Sequence, residues 1–316
     1  MDVDTTEYPP FEEYGELFNY TTVELEEPEN IAAKVMGVIN SLIALAVIIL
    51  NILILVVIIC NKSLQNSTYV IVANLVVCNL IYGFMLMPSF VVSSVLEDWV
   101  FGNILCKIVM QSSQMMPLIQ AISLFLLVLD HYLASIKPFS SASSWQTRHI
   151  MIEIAVMWVI AFVCTVHLLL FSRLETYDFS SEIRSVCTQI LSNSVYKLIQ
   201  DIYYMMISFT IPIVSVIILL LMRCCQKKPD NKDDLPAAFS ASSLPSIIVT
   251  VVVFVICVAP FNVLLFLTVL TPHASYIYVF YSTKSLHYVS FIFNPFLFCI
   301  MNESFRKCLI KLCYCK

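Results

Sequence analysis

Ser123-Leu124-Phe125-Leu126-Leu127-Val128-Leu129-Asp130-His131-Tyr132-Leu133 closes the third of seven long apolar segments in this chain. The segments run approximately over 33–60, 68–96, 104–136, 150–171, 196–222, 244–271 and 275–301. Each reaches the ~20 residues a helix needs to cross the hydrocarbon layer of a bilayer. Of 316 residues, 59% are hydrophobic and only 12% charged, which is more apolar surface than one water-soluble core can hide. The expected fold class is therefore an all-α membrane protein built as a seven-transmembrane helix bundle.

Orientation follows from positive charge, which is retained on the cytoplasmic side. Residues 1–30 carry ten carboxylates and no Lys or Arg. Placing the first loop inside puts Lys62, Lys137, Arg148, Arg223, Lys227, Lys228, Lys232, Arg306, Lys307, Lys311 and Lys316 on one face, so the N-terminus is expected outside. The acidic start does not read as a cleavable signal peptide, and the first span is expected to direct its own insertion. The acidic arm accounts for the net charge of −5. It would attract a cationic ligand, or serve simply as a solvated, disordered arm. Nucleic acid is not an expected partner. Most of the twelve cysteines fall within spans or at their inner ends, where thiols stay reduced; Cys106 and Cys187 face outside.

The run Trp99-Val100-Phe101-Gly102-Asn103-Ile104-Leu105-Cys106 resembles the start of the third helix in rhodopsin-like G-protein-coupled receptors, and Asp130-His131-Tyr132 resembles that family's Asp-Arg-Tyr tripeptide. Asn51, Trp158, Pro212, Pro260 and Asn294-Pro295 each stand where the family keeps a characteristic residue, in order along the chain. The resemblance covers roughly residues 33–312. It implies a disulfide from Cys106 to Cys187, a ligand-driven movement of helices rather than enzymatic chemistry, and no metal or cofactor. A heterotrimeric G protein, and with it arrestin, would be the cytoplasmic partners. It further implies three parts: an acidic arm at 1–32, the bundle at 33–301, and a short amphipathic eighth helix with a cytoplasmic tail at 302–316. In that helix Phe305, Leu309 and Leu312 are expected to face lipid, with Cys308, Cys313 and Cys315 as candidate palmitoylation sites.

Against that pattern the departures cluster along the activation path. His131 replaces an arginine, and imidazole offers one or two donors where a guanidinium offers five and a permanent charge. The tie to Asp130 and the contact with a G protein should both weaken. Asn79 replaces the sodium-binding aspartate, with Gln120 beside it, so sodium is not an expected ligand. Val258 precedes Pro260 in place of the toggle tryptophan, and Leu220 and Phe298 stand where two tyrosines would meet through water.

On the ligand side, Ser113 stands where amine receptors carry an aspartate, so an amine ligand is disfavoured. Candidate ligand-binding residues are Gln111, Ser113, Gln114, Phe261, Asn262, Lys284 and His287. Lys284 would meet an acidic ligand group or pair with Asp201. Pro88 and Pro117 are expected to kink the second and third spans. Tyr8 and Tyr14 sit among acids, as in sulfated arms of peptide receptors. Asn19-Tyr20-Thr21 is a glycosylation sequon on the outer face, whereas those at Asn61 and Asn66 lie inside. The expected function is a plasma-membrane, multi-pass receptor for a peptide or small protein, with atypical or constitutive coupling. A non-signalling scavenger or decoy of the same fold is the alternative, and a seven-helix transporter or channel the remote one.

Overall fold

A computed structural model describes residues 27–136, 144–179, 182–190, 194–225, 243–270 and 277–314. Its elements run α1 (Glu27–Cys60), α2 (Ser67–Ile81), α3 (Met87–Leu96), α4 (Gly102–Ile136), α5 (Ser144–Phe171), β1 (Ser172–Phe179), β2 (Glu182–Gln189), α6 (Ser194–Met205), α7 (Ile211–Cys225), α8 (Ser243–Leu270), α9 (Ile277–Met301) and α10 (Glu303–Tyr314). Among the described residues six spans are long and apolar enough to cross a membrane, and α9 with α10, bent apart by 95°, brings the number to as many as seven. The α9 segment is the more polar because it carries Lys284, His287 and Asn294. Helices are the natural outcome, since lipid offers no partner to a free backbone N–H or C=O. α1 begins ahead of the expected bundle boundary at residue 33. Tyr8, Tyr14, Asn19, Cys315 and the side chain of Cys313 lie outside the described residues.

Proline punctuates two of the spans. A proline lacks the N–H its helix needs and its ring collides with the carbonyl four residues back. Ahead of Pro88 the chain widens into a π-helical turn at Tyr82–Leu86 that joins α2 to α3, and Met206–Thr210 does the same ahead of Pro212 between α6 and α7. α4 stays helical through Pro117, as α8 does through Pro260 and α9 through Pro295.

The third span is the axis of the bundle: 72% of its apolar stretch is buried, against 22% in the fourth and 22% in the fifth. α4 packs against α2, α5, α7 and α8, while α9 lies between α1 and α8. Leu42, Ile49, Val159, Val163 and Ile218 point away from the bundle, as lipid-facing positions should.

Buried amides connect the spans. Phe291 is the residue whose carbonyl Pro295 leaves without its helical donor. That oxygen accepts instead from Asn51 Nδ2 at 3.1 Å and Asn79 Nδ2 at 2.9 Å, and Asn79 Nδ2 also donates to Asn51 Oδ1 at 3.1 Å. Three landmarks, on α1, α2 and α9, thus form one knot. A second joins α2, α4 and α5: Trp158 Nε1 donates to Asn74 Oδ1 at 2.8 Å, and Asn74 Nδ2 to Ser123 Oγ at 3.0 Å. Asn66 is a helix cap, its Oδ1 accepting from Tyr69 N at 3.2 Å at the start of α2.

α10 turns away after Asn302, whose Oδ1 accepts from Ser304 N at 3.0 Å. The expectation that Phe305 faces lipid is corrected. Phe305 is buried and stacks on Tyr69, which also meets Phe298 edge-on, because the 95° bend folds α10 back beneath the start of α2. Leu309 and Leu312 are partly buried against the core beside it. The half-buried Cys308 has its Sγ 3.5 Å from Ser63 Oγ.

Candidate functional site

The β1–β2 hairpin lies across one end of the bundle. Its antiparallel register places Leu174 opposite Cys187, and Cys187 is disulfide-bonded to Cys106 near the start of α4. Polar contacts add to that bond. Trp99 N donates to Ser185 O at 2.8 Å, Ser185 N to Asp98 Oδ1 at 2.7 Å, and Leu174 N to Asn103 Oδ1 at 3.0 Å. Trp99 itself is buried, with its Nε1 donating to Gly102 O at 2.9 Å. The tryptophan and glycine of the sequence run thus shape the corner that receives the hairpin. Gly102 has φ +74°, a left-handed conformation in which glycine avoids the steric penalty of a side chain. Glu97 ends α3 in the same region, at φ 53°, with its carboxylate paired to Arg184 of β2.

On β1, Arg173 and Tyr177 both donate to the Glu175 carboxylate. Partial burial alone would raise that carboxyl, but these hydrogen bonds and the guanidinium charge outweigh it and hold it below the usual carboxylate range. A depressed carboxyl stabilises the fold above its ordinary titration range near ~4.3 and loses that contribution as pH falls through the folded value. Protection of the hairpin amides, taken relative to their intrinsic exchange at each pH, is therefore expected to fall between about pH 5 and pH 3. The effect should stay under about 1 kcal/mol because Arg173 is half exposed. Glu175→Gln should abolish the pH dependence.

Under the hairpin opens a cavity walled by aromatic rings. Phe90 contributes from α3, Tyr204 from α6, Phe261 from α8, and Phe280, Tyr281 and Tyr288 from α9. Its polar lining includes Asn40, Ser113, Gln114, Gln189, Asp201, Lys284 and His287. Lys284 Nζ stands 3.8 Å from the centre of the Phe90 ring and 5.2 Å from that of Phe280, a cation held over ring faces. The His287 ring is stacked on Phe291 and tilted against Phe261. Ser113 Oγ donates to Met110 O at 2.7 Å, which leaves its oxygen available as an acceptor. Gln111 and Asn262 are buried outside this lining. Each lies one residue, about 100° of helix, from a lining position, and Asn262 Nδ2 is tied back to Val258 O at 3.0 Å.

At the other end, Asp130 and His131 are buried, at 4% and 7% exposure, and Tyr132 is half-buried. Asp130 Oδ2 accepts from Thr68 Oγ1 at 2.6 Å. This link to α2 was not expected from the tripeptide: with no arginine beside it, the carboxylate keeps a neutral donor from another helix. Between the two ends, Val258 and Phe298 are buried core residues, and Gln120 Oε1 accepts from Ser290 Oγ at 3.4 Å. Asn294 is buried with neither amide atom bonded among the described residues. Tyr69 and Thr68 escaped sequence reasoning because their roles depend on what α9 and α4 bring against them.

A seven-helix membrane receptor is the class that this bundle, its disulfide-held hairpin and the cavity beneath it define. The chain belongs to the 7 transmembrane receptor (rhodopsin family), whose model matches residues 50–298. It is a multi-pass membrane protein and, by family, a receptor rather than an enzyme. Among its relatives, the allatostatin-A receptor of Bombyx mori is 23% identical over 94% of this chain and 85% of its own length. The cholecystokinin receptor type A of Canis lupus familiaris is 29% identical over 66% of this chain and 49% of its own length. The human C-C chemokine receptor type 1 is 22% identical over 98% and 85% respectively.

Proposed function

We propose that the chain is a plasma-membrane receptor for a peptide or small protein, with its N-terminus and hairpin outside, that couples atypically to G proteins and engages arrestin at its inner face. The ligand side is supported by the aromatic-walled cavity beneath the hairpin and by relatives named as receptors for allatostatin-A and cholecystokinin. Lys284 is the cation in that cavity, suited to a carboxylate on the ligand. Such a group would approach along rings that supply the apolar part of the contact.

The observation that carries the coupling half is the buried imidazole at position 131 beside an aspartate held by Thr68. A resting state held this way is not opened by releasing an arginine. The chain then signals with its own resting balance, or binds ligand as a decoy. The deciding measurement is basal nucleotide exchange on purified heterotrimers of each G-protein family, with native chain and His131→Arg in lipid nanodiscs. Basal exchange by the native chain is expected. Silence from the native chain with a gain in the variant would instead establish the decoy. A panel of synthetic peptides, each made with a free and an amidated C-terminus, tests the ligand side. Where the free acid is the better agonist, Lys284→Met should lower its potency by about tenfold or more, equivalent to ~1.4 kcal/mol, and leave the amide unaffected.

A further inference from the structure

Alternation along the β1–β2 hairpin decides which backbone groups face the other strand and which face away. Ile190 N donates to Phe171 O at 2.7 Å just beyond the strands, so every second pair from there, Arg173 with Thr188 and Glu175 with Val186, exchanges the ladder bonds. The residues between them, Ser185, Cys187 and Gln189 on β2, turn their N–H and C=O to the outer edge. Ser185 bears this out: its N–H donates to Asp98 and its carbonyl accepts from Trp99 N, both at the corner between α3 and α4. On the opposite edge the outward N–H of Leu174 donates to Asn103. Past Ser185 the edge of β2 is open. Among the described residues no loop or side chain bonds the outward N–H or C=O of Cys187 or Gln189. The Gln189 side chain is drawn aside, its Oε1 accepting from Gln200 Nε2 at 2.9 Å. Ser185, Cys187 and Gln189 all line the cavity, so the open edge borders the ligand site.

We propose that a peptide ligand adds to this hairpin as a third, antiparallel strand along β2 at Cys187 and Gln189. The proposal rests on the reading of the chain as a peptide receptor, and it specifies how the peptide is held. Each outward residue offers one donor and one acceptor, repeating every second residue, a pattern that another extended backbone matches group for group. A ligand residue opposite Cys187 exchanges two bonds with it, and the residue two positions along does the same with Gln189. The side chain opposite Cys187 shares the face of Cys187 and Leu174, which packs with Trp99 and Cys106, and the residue between the two pairs points the other way. The ligand class that follows is an extended peptide with apolar or aromatic side chains at alternate positions. Closure of the edge at Ser185 keeps the added strand short, so the main chain sets its register and the rings beneath supply the specificity.

The test uses the full chain in nanodiscs. Its probe is the tightest binder from a library of synthetic octapeptides that alternate aromatic and polar residues, made with free and amidated C-termini. Each backbone N–H of the probe is replaced in turn by N-methyl. Affinity for the native chain should fall by about tenfold or more at two positions two residues apart, with the position between them tolerant. On the receptor, Gln189→Pro removes one outward N–H and no ladder bond, since an edge strand accepts proline there, and should weaken binding by about fivefold or more. Gln189→Ala keeps that N–H, and Ile183→Pro removes an outward N–H at an exposed position away from the cavity lining; each should leave affinity within about twofold. A methylation scan without alternation, or Gln189→Ala as costly as Gln189→Pro, overturns the added strand while the peptide-receptor reading survives. An equal loss from Ile183→Pro reports a general disturbance of the hairpin and overturns it too. Binding that emerges only after residues 2–26 are deleted gives the edge to the chain's own arm and overturns its assignment to a separate ligand. Absence of binding by both the native chain and the deletion sinks the strand and the peptide reading together.

Discussion

Replacing Cys106 and Cys187 together by alanine is expected to produce the largest loss of stability of any pair of substitutions at the hairpin end. The bond closes a loop with a sequence separation of 81 residues. Chain entropy for a loop of that size corresponds to about 4–5 kcal/mol, an upper figure here because the spans limit the freedom of the opened loop. What remains are the Glu97–Arg184 ion pair and the hydrogen bonds involving Trp99, Asp98 and Asn103, each worth about 1 kcal/mol net. The double variant should therefore unfold at a clearly lower temperature in nanodiscs and reach the cell surface poorly, with the hairpin amides exchanging fast. The double substitution avoids leaving one reactive thiol. An unchanged midpoint would mean that the polar ties alone hold the hairpin over the cavity.

Asn51→Leu should be nearly as damaging for a site with no exposure at all. It removes the donor to Phe291 O and strips Asn79 Nδ2 of one acceptor in a place water does not reach. A lost bond of about 1 kcal/mol plus one buried Asn79 N–H left without its acceptor, at about 1–3 kcal/mol, predicts roughly 2–4 kcal/mol, read as a fall in thermal midpoint. Asn79 still serves Phe291 O in this variant. Adding Asn79→Leu should destabilise further, because that carbonyl then loses both donors and Pro295 has no N–H to give. A double variant no worse than the single would show that the carbonyl does not depend on the two asparagines.

Much of this was legible in one dimension. Hydrophobic length marked the spans, since the bilayer sets a minimum helix length irrespective of packing. The Trp99–Cys106 run carried the corner and the disulfide half-site, and a single outward-facing partner remained for Cys106. Of the candidate ligand residues, Ser113, Gln114, Phe261, Lys284 and His287 come together around one cavity. Gln111 and Asn262 do not, because depth along a helix can be counted from a landmark while facing depends on neighbours a residue away in phase.

Other features were decided only when distant segments met. Thr68 holds Asp130, and Tyr69 receives Phe298 and Phe305. None of these pairings has a spacing signature, since each joins positions on different helices whose rotation is set by packing of the whole bundle. By itself the sequence determined that seven apolar helices would form, roughly where each would lie to within about six residues, and which family features they would carry, because those follow from local composition against a hydrophobic solvent. Tertiary structure alone decided how a proline's missing donor is replaced from two other helices and which donor holds the buried Asp130 carboxylate, because a buried polar group is satisfied by whatever the fold brings within hydrogen-bond reach.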